Sequence, residues 1–185
     1  MHLSRPAIAR VFATVVGFGV MASVPLLGSC TNSGWVAAPP FEMPIEIESS
    51  RAAVVSEFRV DKSKLYAISL QFNFEKGNKA DRARMWDLAG GRYKARPGVW
   101  LEPGSPLSIR VIVIASYPNN AKPLIDQLVQ KPRLTSWDAN SLSSELVALK
   151  LDPGLYRVDV AIVDAAPALE GTSAEIGIAE AYRGK

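Results

Sequence analysis

The stretch LYAISLQFNFE, residues 65–75, alternates without a break: Leu65, Ala67, Ser69 and Gln71 on one side, Tyr66, Ile68, Leu70, Phe72 and Phe74 on the other. A period of two sends successive side chains to opposite faces of a strand, so the second set is expected to face a core. The same rhythm recurs along the chain. PIEIE sets Ile45 and Ile47 against Glu46 and Glu48, and VVSEFRV interleaves Val54, Ser56, Phe58 and Val60 with Val55, Glu57 and Arg59. Further on, SIRVIVIASY is dense in β-branched residues, as a central strand is, and LVALKL, LYRVDVAIV and SAEIGIAEAY add three more candidates. Strands this frequent, with polar turns such as Asp61-Lys62-Ser63-Lys64 between them, predict an all-β fold. The expected architecture is an immunoglobulin-like antiparallel β-sandwich in a single domain over residues 41–185.

Two segments qualify that pattern. Leu151-Asp152-Pro153-Gly154-Leu155-Tyr156 is a proline-glycine turn leading into a strand whose first aromatic is Tyr156. In Greek-key sandwiches a tyrosine there sends its hydroxyl back to the upstream backbone, so a tyrosine corner is expected, with a structural role. NKADRARMWDL, residues 78–88, reads instead as one short helix, capped by Asn78 and stopped by Gly90-Gly91. Ala80, Ala83, Trp86 and Ala89 recur at threes with Met85 and Leu88 beside them, a face expected to pack down while Lys79, Arg82 and Arg84 meet solvent. From residue 90 to 106 glycine and proline predict a long irregular loop.

The N-terminus carries a different signal. Residues 1–10 hold Arg5 and Arg10 and no acid, and residues 11–27 are uncharged and apolar or small. That apolar run is shorter than the roughly 20 residues of a spanning helix, and Pro25 interrupts it, so it reads as a secretory signal rather than a permanent anchor. It ends in Leu27-Gly28-Ser29-Cys30, with the chain's single cysteine last, which resembles a lipobox. Residues 1–29 are therefore expected to be a cleaved lipoprotein signal peptide, with Cys30 taking the acyl chains that hold the protein to a membrane. The familiar inner-membrane retention signal is an Asp after the cysteine; with Thr31 in that place, the protein is expected at the outer membrane, where the source has one, facing the periplasm. Residues 30–40 form a lipidated tether rich in small residues and proline, in which Trp35 either dips into the lipid interface or packs on the domain.

Removing the signal has chemical consequences. The sole histidine, His2, leaves with it, and Cys30 is taken by lipid. Ser-His-Asp and Cys-His catalysis are then excluded, as are zinc sites built on His or Cys. Without Arg5 and Arg10 the 21 basic residues become 19 against 18 acidic ones, a balance that gives no support to a nucleic-acid partner. Neither a metal nor a cofactor is expected.

Together PFEMPIEI, SEFRV, LQFNFEKGNKADRARMWDLAG, LKLDPGLYRVDV and PALEGT resemble the bacterial lipoproteins grouped as domain-of-unknown-function family 5625, over residues 41–178. The resemblance implies a secreted, lipid-anchored β-domain and brings no catalytic residues with it.

The candidate contact surface is the helix and the loop after it. Lys79, Arg82 and Arg84 lie near Arg92, Lys94 and Arg96, with Trp86, Tyr93 and Trp100 interleaved. Such a set can grip an acidic protein, lipid phosphates or an anionic glycan; the competing reading is a solvated helix face balanced by Asp81 and Asp87. Trp86, Trp100 and Trp137 can stack on sugar rings, or simply pack on the core or shield a sheet edge. Glu42, Glu46 and Glu48, with Asp159 and Asp164, are the only carboxylate sets worth weighing for hydrolysis, and outward-facing strand acids are far commoner. The expectation is thus a non-enzymatic envelope protein that binds a macromolecular partner through Lys79, Arg82, Arg84, Trp86, Arg92, Tyr93 and Trp100. An immunity or accessory role toward a secreted effector is one such task, by analogy alone. The alternative is an envelope glycan- or lipid-binding module.

Overall fold

Alternation at residues 65–74 does place Tyr66, Ile68, Leu70, Phe72 and Phe74 inward, each buried, in a computed structural model that describes residues 36–47, 52–116 and 122–182. The expected strands form as β1 (Phe41–Ile47), β2 (Ala53–Val60) and β3 (Lys64–Asn73), followed by α1 (Lys79–Leu88). Two short strands, β4 (Tyr93–Arg96) and β5 (Val99–Leu101), precede β6 (Leu107–Ala115) and β7 (Ile125–Gln130). The chain then runs through β8 (Ser136–Trp137), β9 (Ser141–Leu151), β10 (Gly154–Ala165), a 3₁₀ turn at Pro167–Leu169 and β11 (Thr172–Glu180). Every pairing between these strands is antiparallel.

They make three sheets. One has the order β1-β11-β3-β9-β8, the second β2-β10-β6-β7, and the third is the hairpin β4-β5. The buried faces of the two larger sheets share one hydrophobic cluster: Ile47, Ile68, Leu70, Phe72, Leu142 and Ile176 from the first, Phe58, Ile109, Val111, Val113, Val158 and Val160 from the second. Phe41 and Phe58 bring β1 to β2 with ring centroids 5.9 Å apart. Burial of this apolar surface is the main favourable term for the fold.

The tyrosine corner forms: the Tyr156 hydroxyl donates to the Asp152 carbonyl at 2.7 Å. A second, unforeseen corner sits beside it, where the Tyr66 hydroxyl donates to the Lys62 carbonyl at 3.3 Å. Both tyrosines follow a leucine, stand four residues after the acceptor, and open a strand of a different sheet. The turns are joined by Ser63, whose hydroxyl donates to Asp152 Oδ1 at 2.6 Å. Tyr156→Phe removes the donor and leaves a buried ring, so a loss of about 1–2 kcal/mol in denaturant unfolding is expected. Burial pushes the Tyr156 hydroxyl above its ordinary value. The folded state therefore favours the neutral phenol; its contribution is complete below the unfolded pKa of about 10 and is lost as pH rises through the higher folded value. The stability gap between the wild type and Tyr156→Phe should narrow above about pH 10.

Two expectations are corrected. Residues 90–106 are not wholly irregular: β4 and β5 pair around a Pro97-Gly98 tip, with Arg96 opposite Val99 and Gly98 at φ +74°. All four β4 residues are exposed, so no apolar alternation marked the hairpin. The helix packs less than its threes suggested. Ala80 and Ala83 are exposed, and only Met85, with Ala89 at the cap, is buried, because α1 docks by its last turn alone. Strand β7 carries no apolar period that predicts it, since IDQLVQ turns only Ile125 and Val129 toward the core from the edge of its sheet. The Asn78 cap holds as expected, its side chain accepting from the Asp81 N–H at 3.0 Å.

Candidate functional site

The end of α1 sets the geometry of a cleft. Gly90, at φ +67°, turns the chain after the helix, and its amide carbonyl accepts from the Gly104 N–H at 3.3 Å. A Cβ on Gly90 would stand 1.8 Å from the Gly104 carbonyl carbon, and one on Gly104 would stand 2.2 Å from the Lys131 carbonyl oxygen. Three chain segments thus meet backbone to backbone, an approach only glycine permits. Gly91 serves the same end for a side chain: a Cβ there would fall 2.3 Å from Trp86 Nε1. The Trp86 indole therefore lies against the main chain and donates to the Arg92 carbonyl at 3.2 Å.

Around this floor the fold gathers residues far apart in sequence. Trp137, on β8, meets Trp86 edge-on with centroids 6.0 Å apart and rings at 63°. Trp100, on β5, carries the Arg92 guanidinium over its face at 4.8 Å, and Arg92 also pairs with Glu102 at 3.6 Å. Arg133 and Leu134, between β7 and β8, close the remaining side. The result is a cleft of about 310 Å³ lined by Trp86, Gly90, Arg92, Trp100, Glu102, Arg133, Leu134 and Trp137. Trp100 and Trp137 are 51% and 63% exposed, unusual for indoles and consistent with a contact surface.

Of the residues singled out from sequence, Trp86, Arg92 and Trp100 line the cleft. Arg82 lies behind it, over Trp86 at 5.6 Å and Phe74 at 5.9 Å. Lys79, Arg84 and Tyr93 are exposed nearby and do not line it. Arg84 pairs with Asp81 at 3.0 Å, and the Glu75 N–H with Arg84 holds the Asp81 carboxyl below the usual carboxylate range. Sequence reasoning left out Glu102, Arg133 and Leu134 and set Trp137 apart from the site; only its residue type marked Trp137, and nothing marked the others. Asp159 is taken up by Arg157 at 2.8 Å. Among the described residues no group of three or more His, Cys, Asp or Glu is placed to hold a metal, and no helix is long and apolar enough to cross a membrane. Cys30, Trp35, Glu48 and the signal segment lie outside the described residues.

No curated protein matches the chain. A crystal structure of a protein from Sulfurospirillum deleyianum is similar in fold, with a TM-score of 0.62 at 19% identity over 78% of this chain and 98% of that one. The pre-peptidase C-terminal domain of a collagenase from Bacillus anthracis aligns at 11% identity over 76% of this chain and 90% of that one, with a TM-score of 0.36, too low to compare the two folds. The model of DUF5625, a domain of unknown function, matches residues 42–180, and the chain belongs to that family.

Proposed function

We propose that this is a non-enzymatic, lipid-anchored envelope protein that binds a macromolecular partner at the tryptophan cleft. The observation that carries the reading is the convergence of three indoles and two arginines from separate segments, with Trp100 and Trp137 more than half exposed. Trp and Arg dominate the energetics of protein interfaces when a partner desolvates them. The lipobox-like run ending at Cys30 supports cleavage of residues 1–29 and attachment by acyl chains, with an outer-membrane, periplasm-facing location following from Thr31. Two corner tyrosines at crossings between the larger sheets support an immunoglobulin-like sandwich, a rigid base for the loops that frame the cleft. An immunity or accessory role toward a secreted effector suits such a domain.

A pull-down with the acylated protein tests this. One stoichiometric protein should stay with the wild type and be lost from Trp100→Ala/Trp137→Ala, whose exposed side chains leave the fold intact; equal retention would remove the cleft from the mechanism. Cys30→Ser should stop palmitate labelling and leave the membrane fraction. The exposed indole faces also favour a second reading, a glycan- or lipid-binding module, which predicts saturable tryptophan quenching by envelope saccharides that Trp137→Ala abolishes.

A further inference from the structure

Resting on the reading of the cleft as a binding site, we propose that it takes an acidic peptide segment of a partner protein, seating an apolar side chain against Trp86, Trp137 and Leu134 and a neighbouring carboxylate on Arg133. Arg133 is exposed at the cleft and, among the described residues, its side chain makes no hydrogen bond or ion pair, whereas Arg92 is already held by Glu102 and Trp100. An incoming carboxylate is what this guanidinium lacks. Charge around the cleft has the matching sign. Residues 79–104 and 131–138 carry eight basic against four acidic side chains, while the other described residues carry eight against thirteen. The segments that build the cleft thus carry an excess of four positive charges, which draws anionic groups in.

The lining selects a peptide over a sugar. Three tryptophans and Leu134 supply its apolar walls, and the Trp86 N–H is already donated to the Arg92 carbonyl. A sugar ring would bring several hydroxyls to a wall where Arg92 and Glu102 already pair with each other and Arg133 alone is left to meet them, and buried unpaired polar groups weaken binding. An apolar side chain asks for no such pairing. At about 310 Å³ the cleft admits one or two side chains. The flanking basic residues then meet acidic neighbours on the same segment.

A random heptapeptide library displayed on phage, panned against the full-length acylated protein in detergent micelles, tests the assignment. Enriched peptides should place Asp or Glu within two residues of Phe, Trp or Leu. Their binding should weaken at least tenfold in both Arg133→Glu and Trp137→Ala, variants with unchanged melting temperatures, and should weaken with added salt. Absence of enrichment, enrichment without acidic residues, or undiminished binding to Arg133→Glu would each overturn it. A uronic-acid oligosaccharide serves as the second probe. If it binds the wild type and not Trp137→Ala while the peptides do not, the peptide assignment fails and the cleft remains a binding site. If neither probe responds to Trp137→Ala, the cleft reading fails with it.

Discussion

Gly90→Ala is expected to destabilise the domain by about 3 kcal/mol or more, lowering its melting temperature by roughly 10 °C. Two costs add. At φ +67° an alanine adopts a left-handed conformation that costs about 1–2 kcal/mol for a residue with a Cβ. The new carbon would also lie 1.8 Å from the Gly104 carbonyl carbon and 2.3 Å from the Ser105 nitrogen, both backbone atoms. Residues 104 and 105 cannot yield freely, because the Ser105 N–H donates to the Pro132 carbonyl at 2.8 Å and Gly104 abuts Lys131. Gly98→Ala separates the two costs. Gly98 has φ +74° with nothing within 4 Å of its absent Cβ, so only the conformational term, about 1–2 kcal/mol, should appear. Urea unfolding of both variants reads the difference. Equal midpoints would mean that the contact of residues 90, 104 and 131 is loose and that the cleft floor is not rigid.

Phe58→Ala should cost a comparable amount, about 3–5 kcal/mol, against a typical total of 5–15. Phe58 is 1% exposed and touches the Phe41 and Tyr156 rings, at 5.9 and 5.7 Å, so it links β1 of one sheet to β2 and β10 of the other. Its backbone also bridges Ala37, with the Arg59 N–H donating to the Ala37 carbonyl at 2.8 Å. Removing the ring opens a cavity where the sheets meet, and neighbours held in two ladders cannot collapse into it. Val55→Ala, on the same strand at 57% exposure, should move stability by no more than about 0.5 kcal/mol. Guanidinium unfolding with an unchanged slope for both would assign the contrast to burial, and similar losses would contradict the inward placement of Phe58.

Strand β3 and helix α1 show how unevenly this protein could be read in advance. In β3 every second residue is apolar, so the face that leaves water is written locally, and the strand, its inward set and the Tyr156 corner all follow from neighbours in sequence. In α1 the cap and the stop are equally local, and both form as expected. Which face docks is not local: Ala80 and Ala83 stay exposed because nothing packs over the first turns. For β4 and β7 the weak point is exposure. An edge or hairpin strand that half-buries two side chains or none leaves no apolar period to detect.

The cleft divides along the same line. From the sequence by itself follow the strand-rich fold, its core-facing residues, the family resemblance and the interest of Trp86, Arg92 and Trp100, since each depends on residue type and short-range spacing. Tertiary structure alone decided that Trp137, Arg133, Leu134 and Glu102 complete the cleft, and that Lys79, Arg84 and Tyr93 do not line it. Those residues meet because backbones at 90, 104 and 131 touch through glycines, and a contact across forty residues leaves no periodic trace in the chain.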